Sequence, residues 1–343
     1  MVSAVRFASV LLLAGCNSVF ALDETATIGS GPRRLVFDNS ASATDLVEFP
    51  VLVVLEPGVV DVDDPTRDLR FHDPDSDADL PFDVDVWDPA GSSLVWVKVP
   101  RIDAGSKTDE IVMYSGRDAG GLAAPAAVWA DYDLVIHDAQ ADGTLTNAAA
   151  ADYTTRGSGI SRKPGALGHA IGLPGFAELP NTEPLLDGWT QFSLELWVYA
   201  DYASGQLSTT DEAMFLDRGG SIQLGRVKDL GIAQGIVWLQ IDTHFGDNSS
   251  YLNTVFSFRR WVHIVYTYDG QTLWMYQNGQ FASVDPKPTP IAVTAGPARL
   301  KLGSQNTSMI GALDEVRVSR TYRDPDWVNA QFLTMNGRFV TIR

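Results

Sequence analysis

Phe192-Ser193-Leu194-Glu195-Leu196-Trp197-Val198-Tyr199 alternates apolar with mixed residues, so Phe192, Leu194, Leu196 and Val198 fall on one side of an extended chain. The stretch reads as a β-strand, and similar runs follow it: Ile236 to Ile241, Trp261 to Tyr268, Leu273 to Gln277, Arg299 to Leu302 and Leu313 to Val318. Asp269-Gly270 and Asn278-Gly279 separate runs at hairpin distance, and such dipeptides favour tight turns. Toward the N-terminus the pattern repeats at Arg34 to Phe37, Phe49 to Leu55, Leu69 to His72, Phe82 to Trp87, Leu94 to Val99 and Glu110 to Tyr114. These runs are β-branched or aromatic and fenced by Pro, Gly or Asp, as antiparallel strands are. Helical spacing is scarce. One short helix is expected, capped by Asp324 and running to about Met335. The fold class is therefore all-β, with two antiparallel β-sandwiches divided at the Gly/Ala/Pro-rich break Ala119 to Pro125. No internal repeat appears at solenoid or propeller periods.

The only cysteine, Cys16, closes Leu11-Leu12-Leu13-Ala14-Gly15-Cys16 behind a short basic start. The apolar run is shorter than the roughly 20 residues a membrane span needs, and has the layout of an export signal. Its ending resembles a bacterial lipobox, which implies lipid attachment at Cys16. Cleavage after Val19-Phe20-Ala21 is the alternative and would release a soluble chain. On the first reading, residues 1–15 are a lipoprotein signal peptide and 16–33 a flexible tether. Residues 34–119 form the first sandwich, 120–133 a linker, and 134–343 the second sandwich with a C-terminal tail. The mature chain then has no further thiol, hence no disulfide, thiolate zinc site or cysteine nucleophile. A net charge of −18 and a pI near 4.5 argue against nucleic acid and anionic lipid as partners. Membrane contact is expected only through an N-terminal lipid anchor.

Five motifs carry a family resemblance in the second region. They are Phe192 to Val198, Trp261-Val262-His263-Ile264, Tyr268-Asp269-Gly270, Leu273 to Gly279, and Gly311-Ala312-Leu313-Asp314-Glu315-Val316-Arg317. Their order and spacing resemble the concanavalin-like, laminin-G-like jelly roll of bacterial surface proteins over about Leu134 to Met335. Asp68-Leu69-Arg70-Phe71, Leu80-Pro81-Phe82, Val86-Trp87 and Val95 to Pro100 resemble a domain of unknown function that often precedes such jelly rolls. The resemblance implies a β-sandwich pair and leaves the ligand open, because jelly rolls host many functions.

A catalytic constellation is hard to find. His72, His137, His169, His244 and His263 include no pair at His-Glu-x-x-His spacing, and neither a Gly-x-Ser-x-Gly elbow nor a phosphate loop occurs. His263, within a family-typical strand, is expected to be a buried, hydrogen-bonded imidazole. Asp83 and Asp85 share one strand face but lie in the first domain, so a structural or solvated role is expected for them. The eleven Asp between Asp61 and Asp88 resemble a calcium loop at Asp73 to Asp79, yet the glycine and the closing Glu of an EF-hand are missing. A solvated hairpin is the expectation there. Asp314, near the last strand, is either a ligand of a structural calcium or a hydrogen-bonded strand-end carboxylate. For a sugar ring, which offers apolar faces and polar edges, the candidates are Trp238, Gln240 and Asp242 on one strand face, and Trp274. Trp87, Trp96, Trp197 and Trp261 are expected to be structural.

These readings point to a non-catalytic cell-envelope lipoprotein, at the outer membrane or cell surface, whose jelly roll binds a glycan or mediates adhesion. A module that packs against an envelope protein is one alternative. A polysaccharide-degrading enzyme, which needs facing acids in a groove, is the other.

Overall fold

A computed structural model describes residues 31–117, 119–149, 154–183, 185–186, 188–203, 206, 213–218, 222–229, 234–242, 249–286 and 299–343. Cys16 lies outside them.

The strand that organises the first sandwich is Ala78–Val86. Its first half pairs with Leu69–Asp73 and its second half with Ser93–Ile102, so one strand serves both layers. The full strand order is Leu46–Leu55, Ser93–Ile102, Ala78–Val86, Leu69–Asp73, Glu110–Ser115, Arg33–Phe37 and Val340–Ile342. Alternation dictates the core. Phe71 and Leu80 from one half meet Val51, Val53, Phe82, Val95 and Val97 from the other, and all are buried. Between Leu69 and Phe82 the chain turns as the Asp-rich segment predicts. Asp73 accepts hydrogen bonds from the Asp75 N–H and the Ser76 hydroxyl, which closes the hairpin.

The jelly roll stacks two main sheets. One is eight-stranded, in the order Ser161–Pro164, His169–Leu173, Gly311–Ser319, Phe192–Ala200, Trp261–Tyr268, Thr272–Gln277 and Gln280–Pro286, with Leu134–Ile136 paired to Gly311–Ser319. The other is four-stranded: Ala213–Met214, Ile222–Asp229, Gln234–Asp242 and Ser249–Ser257. Leu194, Leu196, Val198, Ile264 and Val316 from the first sheet pack with Val227, Val237 and Phe256 from the second. The Asn278-Gly279 turn has both residues in the left-handed region (φ 51° and 73°), which is why that dipeptide joins these strands.

Two expectations need correction. The tail assigned to the second sandwich returns to the first, where Val340–Ile342 pairs with Leu35, Val36 and Phe37. The linker over 120–133 is built into the structure. Leu122–Ala123 pairs in parallel with Pro81 and Phe82, and Trp129 is fully buried. Gly121 is pressed so close that a β-carbon would stand 1.7 Å from the Leu69 carbonyl oxygen.

Candidate functional site

The polar face of the eight-stranded sheet is where the two sandwiches meet. In Gly311–Ser319 the apolar residues Leu313, Val316 and Val318 turn to the jelly-roll core. The register against Phe192–Ala200 shifts between Glu195 and Trp197, where Glu315 and Val316 stand opposite the single Leu196, and Glu315 takes a left-handed φ of 52°. The Glu315 N–H donates to the His137 carbonyl (3.1 Å), holding the bulge against the end of Leu134–Ile136. Every residue of the Gly311–Ser319 strand is buried, charges included.

The charges form one connected network. His263 Nε2 donates to Glu195 at 2.8 Å, and the ring lies against Trp197 and Phe332. Arg317 lies 4.0 Å from Glu195 and donates through Nε to Glu315 at 3.0 Å. Its guanidinium stacks over the rings of Trp96 and Trp129, at 4.2 and 4.6 Å. His137 donates from Nδ1 to Glu315 (3.0 Å) and from Nε2 to Asp83 (3.1 Å); Trp129 donates its indole N–H to the same Asp83 oxygen at 2.8 Å. Both ring nitrogens of His137 face carboxylates, an arrangement that favours the charged form of the ring. Burial alone would lower its pKa, but Glu315, Asp85 and the hydrogen bonds to Asp83 and Glu315 hold it well above the ordinary histidine value. Glu315 is the converse case: burial pushes its carboxyl up, and His137 and Arg317 outweigh that to bring it low.

Two carboxyls beside the network go the other way. Burial pushes Asp85 up to about 7; the charge of His137 opposes this, and those of Glu315 and Asp83 add to it. Asp314, 1% exposed, is raised by burial and by Glu315 against the hydrogen bonds it receives from the backbone. Its Oδ2 accepts the Leu167 N–H at 2.8 Å, whereas Oδ1 is buried without a partner. This hydrogen bond ties Asp314 to the turn at 165–168.

Sequence reasoning singled out Asp83 and Asp85 but placed them apart from the jelly roll. The structure brings Asp83 to His137 and Asp85 to within ligand distance of His137 and Glu315. It passed over His137, Glu315 and Arg317. The readable signal was the run Asp314-Glu315-Val316-Arg317 in a central strand, since charges there require a covering partner. His263 is fully buried and hydrogen-bonded, as expected.

The candidate ligand residues separate. Trp274 is partly buried on the sheet face that also carries Val265 and Tyr276, with its ring 5.3 Å from Tyr322. Trp238, Gln240 and Asp242 lie in the other sheet, on Gln234–Asp242, and their side chains fall outside the described residues. Their positions alternate with Val237, which is buried in the core. Register puts Arg226, Trp238 and Asn253 in one row across the strands, and Gln223, Gln240 and Tyr251 in the next.

Comparison with known families follows this division. Residues 65–141 match the family described as Domain of unknown function (DUF2341), and residues 175–329 match the Concanavalin A-like lectin/glucanases superfamily. The chain joins a DUF2341 domain to a concanavalin A-like domain. The DUF2341 segment contains Asp83, Asp85, Trp129 and His137, and the concanavalin A-like segment contains Glu195, His263, Asp314, Glu315 and Arg317. Among solved structures, the binding domain of Paraclostridial Mosquitocidal Protein 1 is 12% identical with a TM-score of 0.46, over 59% of this chain and 52% of that one. Domain 4 of the extracellular arabinanase AbnA from Geobacillus stearothermophilus, in complex with arabinotriose, is 18% identical with a TM-score of 0.42, over 58% and 98%. The Botulinum Neurotoxin serotype G binding domain is 13% identical with a TM-score of 0.43, over 59% and 50%. The chain thus spans about half the length of either toxin domain. No curated protein sequence matches it. Among the described residues no helix is long and apolar enough to cross a membrane.

Proposed function

We propose that this chain is an exported lipoprotein of the bacterial cell envelope, held by lipid on Cys16, whose concanavalin A-like domain binds a glycan without cleaving it. The observation that carries the glycan reading is the register of the four-stranded sheet, which puts Trp238 in a row with Arg226 and Asn253, and Gln240 in a row with Gln223 and Tyr251. The opposite, eight-stranded sheet is covered on its outer side by the first sandwich and the C-terminal helix, so Trp274 offers no extended platform. On the four-stranded sheet, Val255 is 46% exposed. It pairs with Ile236, whose position has the same strand parity as Trp238 and Gln240. The two rows there combine an indole and a phenol with amides and a guanidinium, the mixture that a sugar's apolar faces and hydroxyl edges require. The matched family joins lectins with glucanases, so binding and cleavage are both within its scope. Binding is favoured because the acids Asp83 and Glu315 are held by His137, Trp129 and Arg317 at the domain junction.

A glycan array probed with the protein lacking its signal tests this. Trp238→Ala is expected to weaken binding to the best glycan by about tenfold or more, the scale of losing a stacked aromatic, with unchanged melting temperature. Binding that survives Trp238→Ala, or an array with no positive glycan, overturns the reading. For the anchor, Cys16→Ser is expected to abolish incorporation of radiolabelled fatty acid and retention in the membrane fraction. Retention that persists in the variant rejects Cys16 as the tether.

One observation favours a protein contact as the second reading. Phe281 is 62% and Val284 46% exposed on Gln280–Pro286, the edge strand of the eight-stranded sheet. A Phe281→Asp variant that keeps glycan binding but loses a cross-linked envelope partner would support that use of the edge.

A further inference from the structure

We propose that Asp85, His137 and Glu315 bind one divalent transition-metal ion, of the Zn²⁺ or Mn²⁺ class, at the junction of the two sandwiches. One donor atom from each of the three lies within 4.8 Å of the other two. Tetrahedral coordination at about 2.0–2.2 Å from each donor sets the donors about 3.5 Å apart, so the three groups would draw together by up to about 1.3 Å on binding. The three donors come from separate elements: Ala78–Val86, the residue after Leu134–Ile136, and Gly311–Ser319. An ion there would tie the first sandwich to the second.

The surroundings already have the form of an outer coordination shell. A metal-bound histidine characteristically gives its other ring N–H to a carboxylate. Here His137 Nε2 faces Asp83, which is itself fixed by the Trp129 indole N–H, leaving Nδ1 on the side of Glu315. Glu315 is oriented from behind by Arg317. Asp85 has no hydrogen-bond partner among the described residues. Independently, Asp314 Oδ1 is buried and unpartnered, and Asp314 is close enough to both Asp85 and Glu315 for their charges to act on its carboxyl. Native proteins rarely leave such an oxygen without a partner. Asp85 is only half-buried, which leaves the site an approach from solvent.

The donor set decides the class of ion. One imidazole nitrogen with carboxylate oxygens suits Zn²⁺ or Mn²⁺, whereas Ca²⁺ takes six to eight oxygens. Coordination through Nδ1 would replace the His137–Glu315 hydrogen bond with a metal–nitrogen contact.

The test is calorimetric titration of tag-free, chelator-stripped full chain with Zn²⁺ and with Mn²⁺. At least one of these ions is expected to bind once per chain and to raise the melting temperature. Asp85→Asn changes a partly buried group and is expected to weaken binding by about tenfold or more, as is His137→Gln. His72→Ala serves as a control, because half-buried His72 lies 3.5 Å from Asp77 and 3.0 Å from Asp79, away from the junction. Failure of both ions to saturate at one per chain overturns the proposal. So does Asp85→Asn binding like the wild type, or binding lost in His72→Ala instead. If His137→Gln does not fold, the wild-type stoichiometry and Asp85→Asn still decide.

Discussion

Arg317 is fully buried and yet charged, held between two tryptophan rings above and Glu315 and Glu195 at its side. Its worth is best seen by removing it. Arg317→Ala leaves Glu315, also fully buried, with His137 as its only cation, and opens space under Trp96 and Trp129. Breaking one partner of a buried ion pair costs about 3–5 kcal/mol, because the remaining charge stays desolvated. Urea unfolding of Arg317→Ala is therefore expected to show a loss of that size, and a loss below about 1 kcal/mol would mean that the network adds no stability. Sequence reading recognised Asp314-Glu315-Val316-Arg317 as strand text but not what its charges face. Alternation along one strand tells which residues leave the core. It does not tell that a second sandwich covers them, and the bulge that turns Glu315 toward His137 has no signature in the residues.

At the scale of elements, the C-terminal helix Pro325–Met335 was legible and its packing was not. Asp324 caps it through the Trp327 N–H at 2.8 Å and Pro325 fits its first turn, both features visible in the residues. Nothing in the sequence shows that the helix lies across both sandwiches. Trp327 and Ala330 enter the first core, while Phe332 stacks on Trp197 and His263 of the jelly roll. Its last turn also protects an edge. Leu46–Leu55 ends the first sheet, and the Leu52 N–H, which faces away from that sheet, donates to the Thr334 hydroxyl at 2.9 Å. Thr334→Val keeps the shape and removes the acceptor. A buried N–H left without a partner costs about 1–3 kcal/mol. Chemical denaturation is expected to show that loss, and amide exchange at Leu52 should rise with it. An unchanged Leu52 exchange rate would place its protection in packing rather than in this bond.

Over the whole molecule the chain crosses between sandwiches twice, first through the packed segment 119–133 and again through the helix to Val340–Ile342. The first crossing ends in Trp129, wedged against Trp96 and Tyr132. The second delivers Phe339, which is 1% exposed and packs on Phe37 and Phe49 of the first core. A sequence boundary drawn at residue 119 catches the composition change, yet it cuts the first sandwich from a strand and an aromatic that complete it. Each sandwich thus holds part of the other's closure, and the junction between them is lined by Leu52, Leu94, Trp96, Trp129, Leu167, Trp197 and Met335. Heating is expected to give one cooperative transition, with calorimetric and van't Hoff enthalpies in agreement. Truncation after Met335 removes Phe339 and the Val340–Ile342 strand and opens the first core. Loss of a buried phenylalanine alone costs about 3–5 kcal/mol, so the truncated chain should melt several degrees lower. Because the lesion is confined to the first sandwich, the decisive reading is the jelly roll's behaviour. If the two are one cooperative unit, tryptophan fluorescence and far-ultraviolet dichroism must shift together in the truncated chain. A jelly roll that melts at its original temperature while the first sandwich unfolds early would show two independent domains instead.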